Sequence, residues 1–199
     1  PSGRLTASWP KALSDLPSTS AFSEYGDPKE QNFTEGIYVG YRYFDAFGKK
    51  PRFAFGYGLS YTHFSHTACV SLAGGTVLVC CKGKNLGSFA GKEVLQVYTG
   101  IPKGEVRRLV AFGKTDVIGV GDDYKLMLSF PVRDLAFFDE ARSAYILSAG
   151  EYPVFVGGSS DSLTPVALLR VGEEKLVEQC TPVCPFRGEF QELAPPARA

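Results

Sequence analysis

The sequence has no excess of charge of either sign and no long hydrophobic run. Its 21 Lys and Arg residues are balanced by 21 Asp and Glu residues among 199 positions, which gives a formal net charge of +0. Proteins that bind nucleic acids or anionic membranes usually carry a basic face, and a helix that spans a bilayer needs roughly 18 consecutive apolar residues. We therefore expect neither a nucleic acid nor a membrane as a partner.

The first ten residues, PSGRLTASWP, contain neither an initiator methionine nor the apolar core of a signal peptide. The missing methionine suggests that the chain is a piece excised from a longer protein. Its length and its 44% content of hydrophobic residues allow one large core or two small ones. We therefore expect one or two globular domains.

Cysteine is scarce, and its number is odd. Two of the five cysteines are adjacent within an apolar run, which fits reduced thiols better than a disulfide framework. This pattern favours a cytoplasmic, bacterial location. The five are Cys69, Cys80, Cys81, Cys180 and Cys184.

Histidine is scarcer still, with only two residues, and this limits metal and nucleophilic chemistry. His63 and His66 could join Cys69, or Cys180 and Cys184, in a zinc site. However, the C-x₃-C spacing lacks the C-x₂-C knuckle of structural zinc sites, and two histidines that lead into a strand do not share a face as helical ligands do. No G-x-S-x-G motif accompanies them. We therefore expect no metal, no cofactor and no Ser-His-Asp triad.

Residues 64–171 consist of short segments of alternating apolar residues, separated by Gly, Asn and Asp. Seven or eight strands at spacings of roughly 10 to 15 residues, without a helical stripe between them, predict a mainly β fold with an antiparallel β-sandwich. Gly74 and Gly75 between two such runs predict a hairpin turn. In KEVLQVYTG, Leu95 and Val97 alternate with Gln96, so one face should enter a core and the other should meet solvent or a second domain.

Residues 1–62 are rich in turn-forming residues and show no regular alternation. Ile37, Tyr41 and Phe44 would share a helical face, whereas Ile37, Val39, Tyr41 and Tyr43 would share a strand face, so periodicity leaves a short helix and an irregular turn both open. So long a segment without clear elements indicates the tail of a domain whose body lies upstream. We therefore divide the chain into residues 1–62, the sandwich at 63–175, and a tail or linker at 176–199.

The stretch PRFAFGYGLSYTHF (residues 51–64) gathers five aromatic residues around Gly56 and Gly58. A phosphate loop would need a third glycine and a strand-to-helix context, and both are missing. Close packing at a bend is the favoured interpretation. Trp9 and nearby tyrosines could instead stack on sugars, but aromatic residues at a junction more often fill an interface.

Several motifs together resemble glycoside hydrolase family 3, the β-glucosidase family. They are PSGRL followed by a Trp, FTEGIYVGYRYFD, PRFAFGYGLSYTHF, AGKEVLQVY, LVAFGKT, DLAFFDE and AGEYPVFVGGSSD, in the order seen in that family. The resemblance covers about residues 1–160. It implies the end of an α/β-sandwich domain followed by an immunoglobulin-like, fibronectin type III-like sandwich, with residues 51–64 as the joint. Ala54 stands where the family usually has Pro.

The resemblance also implies what this chain lacks. Family members are similar to retaining glycosidases, which use two carboxylates about 5 Å apart. The nucleophilic Asp lies in a separate barrel, and the acid/base residue lies before PSGRL, so no catalytic residue can be assigned here. The implied partners are the barrel and α/β-sandwich domains of a parent glycosidase, whose substrate would be a β-glucoside or oligosaccharide.

The segment FTEGIYVGYRYFD (residues 33–45) is the part expected to lie nearest to chemistry. Its polar lead-in, residues 18–31, is long enough to reach across a domain surface, and such loops commonly border binding sites. The candidates for a substrate rim or an interdomain contact are Glu35, Tyr38, Arg42 and Tyr43. Pinning by Arg42 to the sandwich is favoured over substrate contact. Glu35 and Asp45 could form a carboxylate pair, but simple solvation is favoured.

Two hypotheses of function follow from the sequence. The first is a C-terminal part of a β-glucosidase-like enzyme that supports the catalytic domains and is inactive alone. The second is a free-standing carbohydrate-binding or adhesive sandwich, which would need exposed aromatic residues on the sandwich itself. Most of the recognisable aromatic residues precede Phe64, which favours the first hypothesis.

Overall fold

The computed structural model describes residues 1–17, 34–102, 106–181, 183 and 192–196 of the chain. These residues include a short helix, α1 (Tyr41–Ala46), and 3₁₀ turns at Leu13–Asp15 and Val132–Leu135. No helix among them is long and apolar enough to cross a membrane. The strands are β1 (Phe64–Ala73), β2 (Thr76–Asn85), β3 (Val94–Thr99), β4 (Arg108–Lys114), β5 (Asp123–Pro131), β6 (Phe137–Asp139), β7 (Ala144–Leu147), β8 (Gly150–Ser159), β9 (Ser162–Val171) and β10 (Lys175–Gln179).

The strands form antiparallel sheets, as the sequence predicts. Their orders are β1-β2-β5, β4-β3-β8-β9 and β10-β7-β6. Side chains of the first two sheets meet in one hydrophobic cluster, to which β2 contributes Val77 and Val79 and β3 contributes Leu95 and Val97. Each such buried side chain stabilises the fold by roughly 1.5–3 kcal/mol. The prediction of a mainly β antiparallel sandwich is therefore confirmed.

The hairpin predicted at Gly74 and Gly75 is confirmed. Ala73 pairs with Thr76 across a two-residue loop, and both glycines have positive φ, +55° and +78°. Two consecutive positive φ angles define the tight turn whose twist matches the flanking strands. The turn therefore fixes the β1–β2 register from one end.

The segments that precede and follow the sandwich strands bear on the helix-or-strand question and on the domain limits. Between residues 34 and 62 the structure resolves the helix-or-strand ambiguity in favour of α1, which starts only at Tyr41, while Ile37 and Val39 lie outside it and are exposed. At the other end, β10 starts at Lys175 and pairs with β7, so it crosses the boundary placed at residue 175. The boundaries at 62 and 175 stay predictions.

Candidate functional site

The outer face of β3 is covered by the N-terminal residues of the chain rather than by solvent. We call this contact the joint; it is formed by residues 1–17 and 34–62 on one side and the outer face of the β4-β3-β8-β9 sheet on the other. The ring of Tyr41 packs edge-to-face on Tyr98, with centroids 5.6 Å apart, and lies 5.3 Å from Phe55. The backbone N–H of Leu109 donates to the hydroxyl oxygen of Tyr41 at 3.0 Å. Helix α1 is thereby fixed against two strands.

Two polar side chains of β3 are buried within the joint and are fully engaged. The hydroxyl of Tyr98 donates to Gln96 Oε1 at 2.5 Å, and Gln96 Nε2 donates to the carbonyl of Gly158 at 3.0 Å. Burial raises the pKa of Tyr98, and the nearby Tyr41 and Asp45 raise it further. Tyr98 therefore stays a neutral phenol and acts as a hydrogen-bond donor.

Ion pairs cross the joint at two places. Arg4 Nη2 donates to Glu93 Oε1 at 3.0 Å, and the two side chains are only 16% and 12% exposed. Arg107 Nη2 donates to Asp45 Oδ2 at 3.0 Å. The interpretation of Asp45 as a merely solvated carboxylate is therefore wrong, because its charge is used to hold α1 to the residue before β4. Partly buried pairs of this kind are costly to break, since one charge is left without its partner.

The two glycines of FGYG lie where backbones approach closely. Gly56 has φ of +86°, and a Cβ there would lie 2.3 Å from Gln96 Nε2 and 2.9 Å from the carbonyl of Gly158. The N–H of Gly56 donates to the carbonyl of Leu5 at 2.8 Å, so this donor is already used within the protein. At Gly58 a Cβ would lie 2.3 Å from the carbonyl of Gly3. The interpretation as close packing at a bend is confirmed.

Of the four candidate residues predicted from the sequence, two pack on the same aromatic ring and the other two make separate contacts. Tyr38 and Tyr43 both pack on Phe47, at 5.7 and 4.7 Å between ring centroids. Arg42 lies 5.9 Å from the ring centroid of Tyr41. The backbone carbonyl of Glu35 accepts the N–H of Tyr38 at 2.9 Å, and within the described ranges no ion pair joins Glu35 to Arg42.

Tyr43 is also held by Lys49, whose ammonium group donates to the Tyr43 hydroxyl at 2.6 Å and lies 5.0 Å from the ring centroid. This buried tyrosine therefore has a packing role. The lead-in at residues 18–31, on which the rim interpretation depends, lies outside the described residues. The assignment of rim or interdomain roles stays a prediction.

A set of exposed aromatic and aliphatic side chains lies on the N-terminal side of the joint. We call it the outer aromatic patch; it consists of Trp9, Tyr57 and Leu59, which line one surface depression, whereas the exposed Tyr61 packs on Phe89, with ring centroids 6.3 Å apart. Tyr57 is 38% exposed and Tyr61 is 78% exposed, so the described residues of this chain do not enclose them, and the expectation that aromatic residues at this junction fill an interface stays a prediction for these two. Exposed apolar clusters of this kind mark interaction surfaces.

Sequence reasoning missed the polar residues that organise the joint. Glu93 and Gln96 sit within a strand pattern in which polar residues usually face water, and their partners Arg4 and Gly158 are distant along the chain. Alternation did indicate that this face could meet a second domain. It gave no means of naming the partner.

The chain is similar to a known domain family and to curated enzymes. A family model described as a fibronectin type III-like domain matches residues 93–160. A β-glucosidase from Ruminococcus albus is 36% identical over 194 residues, which cover 86% of this chain and 20% of that enzyme. The similarity therefore includes the N-terminal side of the joint as well as the sandwich.

Solved structures give the same result at the level of the fold. A β-glucosidase from Paenibacillus barengoltzii has a TM-score of 0.85 and 37% identity, over 92% of this chain and 22% of that one. β-Glucosidase 3B from Thermotoga neapolitana, solved with glucose, has a TM-score of 0.82 and 42% identity, over 89% of this chain and 26% of that one. The chain thus spans about a fifth to a quarter of the length of these relatives.

Proposed function

We propose that this chain, which belongs to glycoside hydrolase family 3 as the C-terminal part of such an enzyme, supports the catalytic domains of a β-glucosidase and supplies no catalytic carboxylate itself. The observation that carries the proposal is the extent of the match, which covers most of this chain but only about a fifth to a quarter of the curated relatives. The remaining length of such an enzyme is where the nucleophile and the acid/base residue are expected.

The geometry of the joint supports a structural role. Its ion pairs and the buried Tyr98–Gln96 contact hold residues 1–17 and 34–62 in one orientation on the sandwich. The side chains of the outer aromatic patch are exposed in this arrangement. We propose that the patch packs against the rest of the parent glycosidase, because so much exposed apolar surface is a liability unless it is covered.

The proposed domain limits follow the same division. With one change, residues 1–62 would complete an α/β-sandwich domain and the joint, residues 63–179 would form the fibronectin type III-like sandwich, and residues 180–199 would be a tail. The start of β1 at Phe64 supports the first limit, and the pairing of β10 with β7 supports moving the second beyond Gln179. The proposed substrate of the whole enzyme is an aryl or short oligosaccharide β-glucoside.

For Glu35, Tyr38, Arg42 and Tyr43 we propose interdomain packing rather than substrate contact. The carrying observation is that Tyr38 and Tyr43 share the ring of Phe47, while Arg42 lies over the ring of Tyr41. Rings that pack on each other within one layer are poorly placed to stack on a sugar.

Arg42→Ala is expected to lower the melting temperature of the full-length enzyme slightly and to leave its Michaelis constant almost unchanged. The lost contact with Tyr41 contributes about 0.5–1 kcal/mol, whereas a lost substrate contact would act on binding. Calorimetry and steady-state kinetics on an aryl β-glucoside separate the two. Arg170→Ala, which removes an exposed pair with Glu151, is the control. A many-fold rise in the Michaelis constant at unchanged stability would favour the rim role.

The purified 199-residue chain is expected to fold and to leave an aryl β-glucoside intact. Hydrolysis by this family needs two carboxylates about 5 Å apart, and we assign neither to this chain. Release of the chromophore, followed at high protein concentration over hours, is the measurement. Turnover that copurifies with the chain would refute the proposal that the catalytic groups lie elsewhere.

The alternative of a carbohydrate-binding sandwich would need exposed aromatic residues on the sandwich, and one exposed pair is present. Phe138 and Tyr145 are exposed on paired strands, with ring centroids 5.3 Å apart. Their ring planes are inclined by 64°, so they do not form the flat surface on which a sugar ring stacks. Isothermal titration with cello-oligosaccharides distinguishes the two functions: saturable binding that Tyr145→Ala removes would favour the binding module.

A further inference from the structure

Three sulfur-containing side chains lie side by side across the β1-β2-β5 sheet. Cys69 of β1 pairs with Cys80 of β2, and Cys80 pairs with Met127 of β5. The chain has five cysteines and one methionine in all, so this row includes its only thioether. Nothing in the proposed glycosidase function requires such an arrangement.

The three side chains point to the same, outer face of the sheet. In β2 the residues on either side of Cys80, Val79 and Cys81, are fully buried in the core, and side chains alternate between faces along a strand. Cys69 is exposed, Cys80 is half-buried, and Met127 is 52% exposed. The joint packs on the other sheet of the sandwich, so it does not compete for this face.

The register determines how closely the sulfur atoms can approach. The N–H of Leu86 donates to the carbonyl of His63 at 2.9 Å, and counting along the unbroken β1–β2 register makes Cys69 and Cys80 a hydrogen-bonded pair. Such pairs have Cα atoms about 5.5 Å apart, and Cβ atoms at a similar distance. A disulfide needs Cβ atoms about 3.8 Å apart. Direct oxidation to a disulfide would therefore require the strands to move.

On the other side of Cys80 the spacing is shorter. The N–H of Asn85 donates to the carbonyl of Asp122 at 3.0 Å, and the β2–β5 register makes Cys80 and Met127 a pair without mutual hydrogen bonds. The Cα atoms of such pairs are about 4.5 Å apart, with closer side chains. The thiol of Cys69 points back toward this row, since its Sγ lies 3.7 Å from the carbonyl oxygen of Cys80.

We propose that Cys69, Cys80 and Met127 form a site for a soft monovalent metal ion of the Cu(I) type on the outer face of the β1-β2-β5 sheet. Thiolates and thioethers together select soft ions such as Cu(I). A bridging ion suits two sulfur atoms that are too far apart to bond directly, because each metal–sulfur bond spans about 2.3 Å.

Charge and protons balance in this site. On binding, the two thiols lose their protons to the buffer, and the thioether of Met127 coordinates without losing a proton. Two thiolates and the +1 ion together carry a net charge of −1, which is offset by the positive charges of Lys82 and Lys125, the next pair along the same face. Cys81 does not take part, because it points into the core and burial raises its pKa to about 11.

The site differs from the zinc sites considered from the sequence. Among the described residues no group of three or more His, Cys, Asp or Glu side chains could hold a metal ion. The row has two cysteines only, and its third ligand is a methionine, which suits a soft ion and is a poor ligand for a hard one.

The test is an anaerobic titration of the reduced full chain with Cu(I) in competition with a chromogenic chelator. We expect about one tightly bound Cu(I) per chain when Cys180 and Cys184 are both replaced by Ser. Cys69→Ser, Cys80→Ser and Met127→Leu should each weaken binding at least about tenfold, because even loss of an outer-shell partner typically costs tenfold or more. Cys81→Ala should leave the affinity unchanged.

Thermal unfolding of each metal-free variant shows whether the sheet is intact, and the outward position of the three side chains predicts midpoints close to that of the parent. X-ray absorption should show a shell of sulfur neighbours that Met127→Leu reduces. The proposal is overturned if folded Cys69→Ser or Met127→Leu binds Cu(I) as tightly as the parent. It is also overturned if Cys69 and Cys80 form a disulfide in air without loss of the fold.

Discussion

Replacing Asn85 with alanine is expected to lower the free energy of unfolding by about 4 kcal/mol, because several buried polar groups would lose their partners at once. Asn85 ends β2 and is 1% exposed. Its Nδ2 donates to the carbonyls of Phe89 and Ile118 at 2.8 and 3.2 Å, and its Oδ1 accepts from Thr62 Oγ1 at 2.5 Å and from the N–H of Gly87 at 3.1 Å. One amide side chain thus links Thr62, the last residue of the joint, to the loop that contains Gly87 and Phe89 and to the loop that contains Ile118.

The melting temperature of Asn85→Ala should fall by roughly 8–16 °C, at about 2–4 °C per kcal/mol for a protein of this size. Thr62→Val removes only one of the four hydrogen bonds and should cost about 1 kcal/mol. Urea unfolding at neutral pH measures both. A loss for Asn85→Ala no larger than that for Thr62→Val would contradict the role of Asn85 as a shared partner.

Asn85→Asp separates the donor from the acceptor role. The variant keeps the acceptor for Thr62 but places a carboxylate against the carbonyls of Phe89 and Ile118. A carboxyl in this buried position has its pKa raised, so its contribution to stability is present at low pH and is lost as the pH rises through that pKa. We expect the deficit relative to the unmodified chain to shrink as the pH falls from that raised pKa to the ordinary Asp pKa of about 3.9.

Gly56→Ala is expected to destabilise the chain by about 3 kcal/mol and to lower its melting temperature by roughly 6–12 °C. A left-handed φ costs a residue with a Cβ about 1–2 kcal/mol, and overpacking against fixed neighbours costs a further 1–3 kcal/mol. Two of the three nearest atoms to the added Cβ are backbone atoms, of Gly158 and Ser159. They cannot rotate away as a side chain would.

Two other glycines separate the effect of φ from that of crowding. Gly121 has φ of +75° with nothing within 4 Å of the point that a Cβ would occupy, and Gly172 has open space and no such φ. Gly121→Ala should therefore cost about 1 kcal/mol, and Gly172→Ala almost nothing. Calorimetry on the three variants measures the series. An equal loss for Gly56→Ala and Gly121→Ala would mean that close approach at the joint contributes nothing.

The sandwich could be predicted from the sequence because its signals are local. Alternation in TVLVCCKGKN and KEVLQVYTG, and two glycines between strands, report on neighbours within a few residues. Helix α1 could not be distinguished from a strand, because six residues are too few for either period to repeat. Its position depends on Tyr98 and Arg107, which lie far along the chain.

The candidate site was predicted less completely, because its contacts join residues that are far apart along the chain. The glycines Gly56 and Gly58 signalled close packing, since few other roles fit them. The exposure of Tyr57 and Tyr61 could not be predicted. The sequence around an aromatic residue does not show whether the residues that it packs against belong to this chain or to another part of the protein. Asn85 carries no local signal of its role, because its four hydrogen bonds depend on loops that meet only in the folded chain.

The central claim is that this chain supports a catalytic body that it does not contain. The most direct test replaces the matching segment of Thermotoga neapolitana β-glucosidase 3B, which is 42% identical, with this chain, and measures hydrolysis of an aryl β-glucoside beside the enzyme that lacks the segment. The account predicts that the truncated enzyme is unstable and inactive, and that the chimera regains both its fold and its turnover. It would be contradicted if the chimera stayed as inactive as the truncated enzyme while the enzyme's own segment, reinstated in the same way, restored turnover.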